Sequence, residues 1–155
     1  MHKYLKLIFS MMICQAIGLV GSLFTFPSIG IWYASLNKPA FTPPNWLFGP
    51  VWLTLYFLMG ISLWLVWNKG STKQTMPALY SFSAQLNLNA FWSLLFFGFQ
   101  NPLAGLIGIV PLSFTVAQTI RKFYGISKNA AYLLVPYILW LMIATYLNFG
   151  VCILN

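Results

Sequence analysis

The segment Trp32–Trp46 reads WYASLNKPAFTPPNW and separates two long apolar runs, at about 5–26 and 46–67. It holds three prolines, four aromatic residues and one cation, Lys38. Proline fixes the backbone and interrupts helices, so the segment is predicted to be a stiff connection between two helices. Each flanking run has the roughly 20 apolar residues that a helix needs to cross a bilayer.

The composition of the whole chain points to a membrane protein. Of its 155 residues, 60% are hydrophobic and 5% are charged, whereas a soluble domain carries about 25% charged residues. Three further apolar runs, at about 76–99, 102–120 and 130–154, are also long enough to span a bilayer. We therefore predict an all-α integral membrane protein, with a single domain over 1–155 built as a bundle of five transmembrane helices.

Lysine and arginine are distributed unequally between the two ends of these runs. Seven of the eight lie at the start of the first run, between the second and third, or between the fourth and fifth; Lys38 alone lies on the other side. Such an excess is typical of cytoplasmic loops. We expect a multi-pass protein of a bacterial membrane, with its N-terminus cytoplasmic and its C-terminus on the opposite side.

The residue types that are missing exclude several classes of chemistry. The chain has no aspartate or glutamate, and its one histidine, His2, lies at the N-terminus. Paired-carboxylate catalysis, carboxylate metal cages and carboxylate proton relays are therefore excluded, and no metal site is expected. The net charge of +8 lies in short loops rather than on an exposed basic domain, so nucleic-acid binding is not expected.

Polar and aromatic residues recur at helical spacing in three runs. The stripes are Phe48, Trp52 and Tyr56 in the second run, Gln85, Asn89 and Trp92 in the third, and Trp140, Ala144 and Asn148 in the fifth. Residues three or four apart share one face of a helix. The amides either hold the bundle together by hydrogen bonds between helices or orient a ligand in a tryptophan-walled pocket. Both interpretations stay open on these residues alone.

Lys38 is the only charge on its side of the predicted bundle. It either solvates the loop or attracts an anionic ligand entering from that side, by about 1–4 kcal/mol depending on the local dielectric.

Three motifs follow one another along the chain: WYASLNKPAFTPPNWLFGPVW from Trp32, AQLNLNAFW from Ala84 and PYILWLMIATYLN from Pro136. Over nearly the whole chain, their order resembles the TspO/MBR family of tryptophan-rich sensory proteins, translocator proteins and peripheral-type benzodiazepine receptors. The resemblance implies a five-helix bundle whose pocket is covered by the first loop, 27–45, acting as a lid. It also implies binding of protoporphyrin IX or haem as a ligand, with no cofactor required.

The resemblance assigns ligand-binding residues, which are Tyr33, Pro43, Trp52, Tyr56, Asn89, Trp92, Trp140, Ala144 and Asn148. We expect a binding protein rather than an enzyme. If the protein does degrade porphyrin in light, as some family members are reported to do, Trp52 and Trp140 are the catalytic pair that the resemblance implies. The alternative function is translocation of porphyrins or other lipophilic molecules across the membrane.

Two further expectations concern partners. The resemblance implies a homodimer, and the small-residue pairs Gly18-x-x-x-Ser22 and Ala104-x-x-x-Gly108 permit close approach of helices. The stretch LNFGVCILN at the end of the fifth run lacks the tyrosine and the cation of the mammalian sterol motif. Sterol recognition through that motif is therefore not expected.

Overall fold

The computed structural model describes residues 2–155, and within that range the chain is helical with no β-strand. The helices are α1 Lys3–Ile29, α2 Trp32–Ser35, α3 Asn45–Trp67, α4 Thr75–Ser93, α5 Pro102–Tyr124, α6 Lys128–Leu133 and α7 Val135–Leu154, and a π-helical turn, Leu94–Gly98, directly follows α4. In this part of the chain four segments are long and apolar enough to cross a membrane: α1, α3, α5 and Lys128–Leu154. The chain is therefore an all-helical, multi-pass membrane protein.

The first helix runs one turn further than the sequence predicts. Proline usually ends a helix at the preceding residue, yet α1 continues through Pro27 to Ile29. A contact with another helix holds this last turn, since the Ser28 hydroxyl donates a hydrogen bond of 2.7 Å to the carbonyl oxygen of Phe97. The connection to α3 is correspondingly shorter than 27–45, and it contains the single turn α2.

The fourth predicted run also ends too early, at 120, whereas α5 extends to Tyr124. Arg121 and Lys122 lie in its last turn and are exposed. Cations in this position complement the negative end of the helix dipole, and their long side chains reach the membrane surface. Charge therefore marks the end of the apolar span here without ending the helix.

The fifth predicted run, 130–154, is divided at Leu134 into α6 and α7. Pro136 explains the division, because it lacks an amide hydrogen and its ring crowds the carbonyl four residues earlier. The two helices together still form one segment of membrane-spanning length, Lys128–Leu154.

In the bundle, α1 packs mainly against α3, and α5 packs against both α4 and α7. Two of the small residues named above, Gly18 and Gly108, allow close packing between helices of the same chain. A Cβ atom at Gly18 would lie 2.7 Å from the Tyr56 ring, and one at Gly108 would lie 2.7 Å from Leu95. Helix α4 buries Gln85 and Asn89, which places these polar groups in the interior of the bundle.

The connection between α1 and α3 is docked on the end of α7, and we call residues 30–44 the lid. The Tyr146 hydroxyl donates a hydrogen bond of 2.6 Å to the carbonyl oxygen of Ala40. At the chain end, the Asn155 side chain donates one of 2.8 Å to the carbonyl oxygen of Asn37. Pro39 lies directly against Gly150, where a larger side chain would not fit. The lid is thus fastened at several points to one helix.

Candidate functional site

Trp52 and Trp140, on α3 and α7, meet beneath the lid. Their ring centroids are 6.5 Å apart with the planes nearly perpendicular. Trp52 stacks on Tyr56 at 5.7 Å and meets the edge of Tyr137 at 6.2 Å. Edge-to-face and offset-stacked pairs of this kind are favourable beyond their buried area. The two helices therefore present a continuous aromatic surface to the interior.

A small cavity, which we call the chamber, lies beside this surface and has a volume of about 30 Å³. Its walls are Thr25, Tyr33, Phe48, Trp52, Trp92, Phe96, Phe97, Trp140, Ala144, Leu147 and Asn148. Six of these eleven residues were predicted from the sequence to bind ligand. The structure thus brings Tyr33, the three tryptophans, Ala144 and Asn148 together from four separate helices, α2, α3, α4 and α7.

A much larger opening, which we call the groove, runs between α1 and α3 and has a volume of about 400 Å³. It extends along α1 from Gln15 to Ile29 and along α3 from Asn45 to Tyr56, with Trp92, Ser93 and Phe97 at its back. Small-molecule sites have volumes of about 300–1,000 Å³ and mostly apolar walls. The groove therefore has the size of a ligand site.

One layer of side chains separates the groove from the chamber. Thr25, Phe48, Trp52, Trp92 and Phe97 line both cavities. Thr25, Phe48 and Trp52 are half-buried, whereas Trp92 and Phe97 are buried. The two cavities are therefore adjacent across these five side chains.

The predicted amide Asn89 lies below the chamber and lines neither cavity. Its carbonyl oxygen accepts a hydrogen bond of 2.6 Å from the Tyr56 hydroxyl, and its amide nitrogen donates one to the Tyr137 hydroxyl. All three side chains are buried. Asn89 therefore links α3, α4 and α7. Of the two interpretations of this amide, hydrogen bonding between helices is the one that these contacts match.

Asn148 makes a second link while it also lines the chamber. Its side-chain oxygen accepts a hydrogen bond of 3.2 Å from the Trp92 indole nitrogen, and its nitrogen donates one of 2.7 Å to the carbonyl oxygen of Pro102. The contacts fix the Trp92 ring, which stacks on Phe96 with centroids 5.5 Å apart. One wall of the chamber is therefore rigid.

Two buried donors near the chamber have no hydrogen-bond partner among residues 2–155: the Trp140 indole nitrogen and the Tyr33 hydroxyl. Buried polar groups are nearly always paired, so each marks a position where an acceptor is missing. Burial raises the pKa of Tyr33 to about 12. The Tyr33 hydroxyl therefore remains uncharged at physiological pH and can donate to a ligand.

The two remaining predicted residues belong to the lid and line neither cavity. The Lys38 ammonium group donates hydrogen bonds of 3.3 and 3.2 Å to the carbonyl oxygens of Ala34 and Leu36, and it lies 4.8 Å from the centre of the Tyr33 ring. Lys38 therefore braces the backbone within the lid and covers the Tyr33 ring. Pro43 is half-buried in the same connection.

The sequence analysis missed three aromatic residues of the site. Phe96 and Phe97 are consecutive yet both buried, because the π-helical turn after α4 carries them toward the lid. Turns of this type occur often at functional sites but have no simple sequence signal. Tyr137 could have been found, since it lies three residues before Trp140 on the same face of α7.

Comparison with known proteins extends this picture. The model of the TspO/MBR family matches residues 10–154. The chain is 50% identical over 151 residues to the tryptophan-rich protein TspO of Archaeoglobus fulgidus, covering 97% of each chain. It is 40% identical over 134 residues to the translocator protein of Homo sapiens, covering 85% of this chain and 79% of the relative. It is 37% identical over 124 residues to the tryptophan-rich sensory protein of Cereibacter sphaeroides, covering 80% of this chain and 77% of the relative. The resemblance seen in the three motifs is confirmed.

Proposed function

Because this chain belongs to the TspO/MBR family, we propose that it is a membrane protein that binds tetrapyrroles, such as protoporphyrin IX or haem, and related hydrophobic molecules. One observation carries the proposal: a tryptophan-walled chamber with a buried, unpaired indole donor adjoins a groove of about 400 Å³. The ligand is bound as such, and no separate cofactor is needed.

The two cavities suit different parts of such a ligand. A flat conjugated ring gains stacking energy against Trp52, which forms the wall of the groove. An acceptor atom of the ligand would pair with the Trp140 indole nitrogen or the Tyr33 hydroxyl, which otherwise stay unsatisfied. Apolar walls with a few orienting donors are the usual anatomy of small-molecule sites.

We also propose that α4 is the fifth membrane span. Its 19 residues and the 5 of the π-helical turn rise about 36 Å at 1.5 Å per residue, which exceeds the roughly 30 Å of the hydrocarbon core. Its polar groups are tolerated because Gln85 and Asn89 are buried within the bundle. Five spans place the N-terminus on the basic, cytoplasmic side and the C-terminus opposite. A homodimer is the assembly that we propose from the family.

A titration with protoporphyrin IX tests the binding proposal. The porphyrin absorbance band is the better signal, since it does not depend on the tryptophans being replaced. We expect Trp52→Phe with Trp140→Phe to weaken binding at least about tenfold, because both the stacking area and the indole donor are reduced. The matched control is Trp64→Phe with Trp67→Phe, at the other end of α3. Equal affinities in the two double variants would contradict the proposed site.

The same variants test light-dependent porphyrin breakdown, in which the bound porphyrin would act as sensitiser, oxygen as oxidant and nearby tryptophan as redox partner. With porphyrin at saturation and under illumination, wild type is expected to bleach the porphyrin band faster than the variant that lacks Trp52 and Trp140. Equal bleaching of equal amounts of bound porphyrin would show that the pair has no catalytic role.

A second candidate function, translocation, is favoured by the length of the groove. From Gln15 to Ile29 it follows α1 over 15 residues, a rise of about 21 Å at 1.5 Å per residue, which is roughly two-thirds of the hydrocarbon core. A lipophilic molecule could therefore move along it between leaflets. Porphyrin flux into sealed proteoliposomes, compared with binding at equal protein content, separates the two functions. Binding without protein-dependent flux would exclude translocation.

A further inference from the structure

The basic side of the protein carries charge that the chain itself cannot neutralise. The chain has eight lysine and arginine residues and no aspartate or glutamate. No cation can therefore form an ion pair with a side chain of the same molecule. Any anion that balances them must come from outside, and in a membrane the nearest anions are the phosphate groups of lipids.

Two of these cations lie together at a depression in the surface. Arg121 and Lys122, in the last turn of α5, line a space of about 350 Å³ with Gln74, Gln118 and Gly125. The depression has a defined edge, because the Gln74 side-chain nitrogen donates a hydrogen bond of 3.1 Å to the carbonyl oxygen of Gly125. The Lys122 ammonium group makes only a long contact, 3.5 Å, to the carbonyl oxygen of Pro77. Two cations and two amides thus converge without an anion.

An apolar stripe on α5 leads to this depression. Ile107, Val110 and Phe114 are 67%, 63% and 63% exposed, and Gln118 and Arg121 continue the same spacing of three or four residues. Residues at this spacing share one face of a helix. The face therefore offers apolar contact for most of the span and cationic and amide groups at its end, which is the polarity of a phospholipid.

We propose that this depression binds the phosphate headgroup of an anionic phospholipid, with the acyl chains lying along the exposed face of α5. The Arg121 guanidinium group can pair with two phosphate oxygens at once, and Lys122 adds a second charge. The amides of Gln74 and Gln118 can contact the hydroxyl groups of a glycerol headgroup. Basic pockets at the cytoplasmic ends of membrane helices have the chemistry for anionic lipids.

The proposal can be tested by native mass spectrometry of the full chain in detergent, titrated with dioleoyl phosphatidylglycerol or with dioleoyl phosphatidylcholine. Wild type is expected to retain the anionic lipid in preference to the zwitterionic one. R121Q with K122Q should weaken retention of phosphatidylglycerol about 30-fold, given the usual contribution of each cation near a lipid surface. The matched control is K69Q with K73Q, which removes the same charge on the same side but leaves the depression intact.

Several results would overturn the proposal. Equal loss of lipid in the two double variants would show that net charge alone attracts lipid. Equal retention of both lipids by wild type would show that the headgroup is not recognised.

Inorganic phosphate at millimolar concentration should not displace the lipid, and displacement would make a free anion the ligand. Thermal unfolding in phosphatidylcholine micelles should be the same for wild type and both variants, since all four cations are exposed, and a lower unfolding temperature for R121Q with K122Q alone would make its role structural.

Discussion

The chamber and the groove share one wall but differ in what they offer a ligand. The chamber has an unpaired indole nitrogen and an amide in its walls but only about 30 Å³ of space. The groove has about 400 Å³ and opens between two helices. Volume and buried hydrogen-bonding groups are thus separated by the layer that contains Trp52 and Phe48. A large flat ligand is expected to occupy the groove and to reach the chamber donors by displacing that layer.

The largest effect is expected from the network below the chamber, and it concerns stability. Asn89→Leu leaves the buried hydroxyls of Tyr56 and Tyr137 without their amide partner. We expect the free energy of unfolding to fall by about 2–6 kcal/mol, since each of the two unsatisfied buried hydroxyls costs about 1–3 kcal/mol. Unfolding by a denaturing detergent measures the change.

Asn87→Leu is the matched control for this prediction. Asn87 lies on the same helix but is exposed, and its amide contacts only the carbonyl oxygen of Ser83. Its replacement should change the unfolding free energy by less than about 1 kcal/mol. A similar loss of unfolding free energy in both variants would mean that the hydrogen bonds of Asn89 to Tyr56 and Tyr137 do not stabilise the bundle.

A smaller effect is expected from filling the groove while the chamber is left intact. Gly49 lines the groove on α3, and a Cβ atom there would meet no other atom within 4 Å. Gly49→Phe should therefore occupy the groove mouth without straining the fold and weaken protoporphyrin IX binding about tenfold, or about 1.4 kcal/mol. Absorbance titration measures the affinity. Ala117→Phe adds the same ring on the exposed face of α5, and unchanged binding in Gly49→Phe would exclude the groove.

The smallest effect is expected from loosening the lid. Tyr146→Phe removes one hydrogen bond, to the carbonyl oxygen of Ala40, while other contacts remain. Since a single hydrogen bond contributes about 0.5–1.5 kcal/mol, porphyrin should dissociate about two- to tenfold faster. Stopped-flow displacement measures the rate, with exposed Tyr80→Phe as control. A wild-type rate in Tyr146→Phe would indicate a ligand that leaves through the groove without the lid opening.

Periodicity predicted the convergence of the site well, because side chains three or four residues apart on a buried helix must face its neighbours. That rule places Trp52, Trp92 and Trp140 on faces that meet neighbouring helices, and the family resemblance assigns all three to one ligand site. It could not predict the consecutive burial of Phe96 and Phe97, which depends on a π-helical turn. Nor could it predict two cavities in place of one pocket, since the division depends on the rotamers of a few aromatic side chains and on how closely they pack.

The predicted end of a helix was wrong where contacts between helices outweigh the local preference of the sequence. The last turn of α1, after Pro27, is held by the hydrogen bond from the Ser28 hydroxyl to the carbonyl oxygen of Phe97. Nothing in the sequence of α1 itself predicts that bond. The division at Leu134 is different, since a proline inside a helix, here Pro136, itself predicts a bend. Local sequence rules therefore explain the break at Pro136, but they do not predict that α1 continues through Pro27.

The most direct test of the account is a double-mutant cycle on the affinity for protoporphyrin IX, with Gly49→Phe in the groove and Trp140→Phe in the chamber. If one ligand contacts both cavities, each single variant weakens the same one-to-one complex, and the double variant is weaker than either. The account predicts that result. Wild-type affinity in Trp140→Phe, with binding lost only in Gly49→Phe, would contradict it and confine the ligand to the groove.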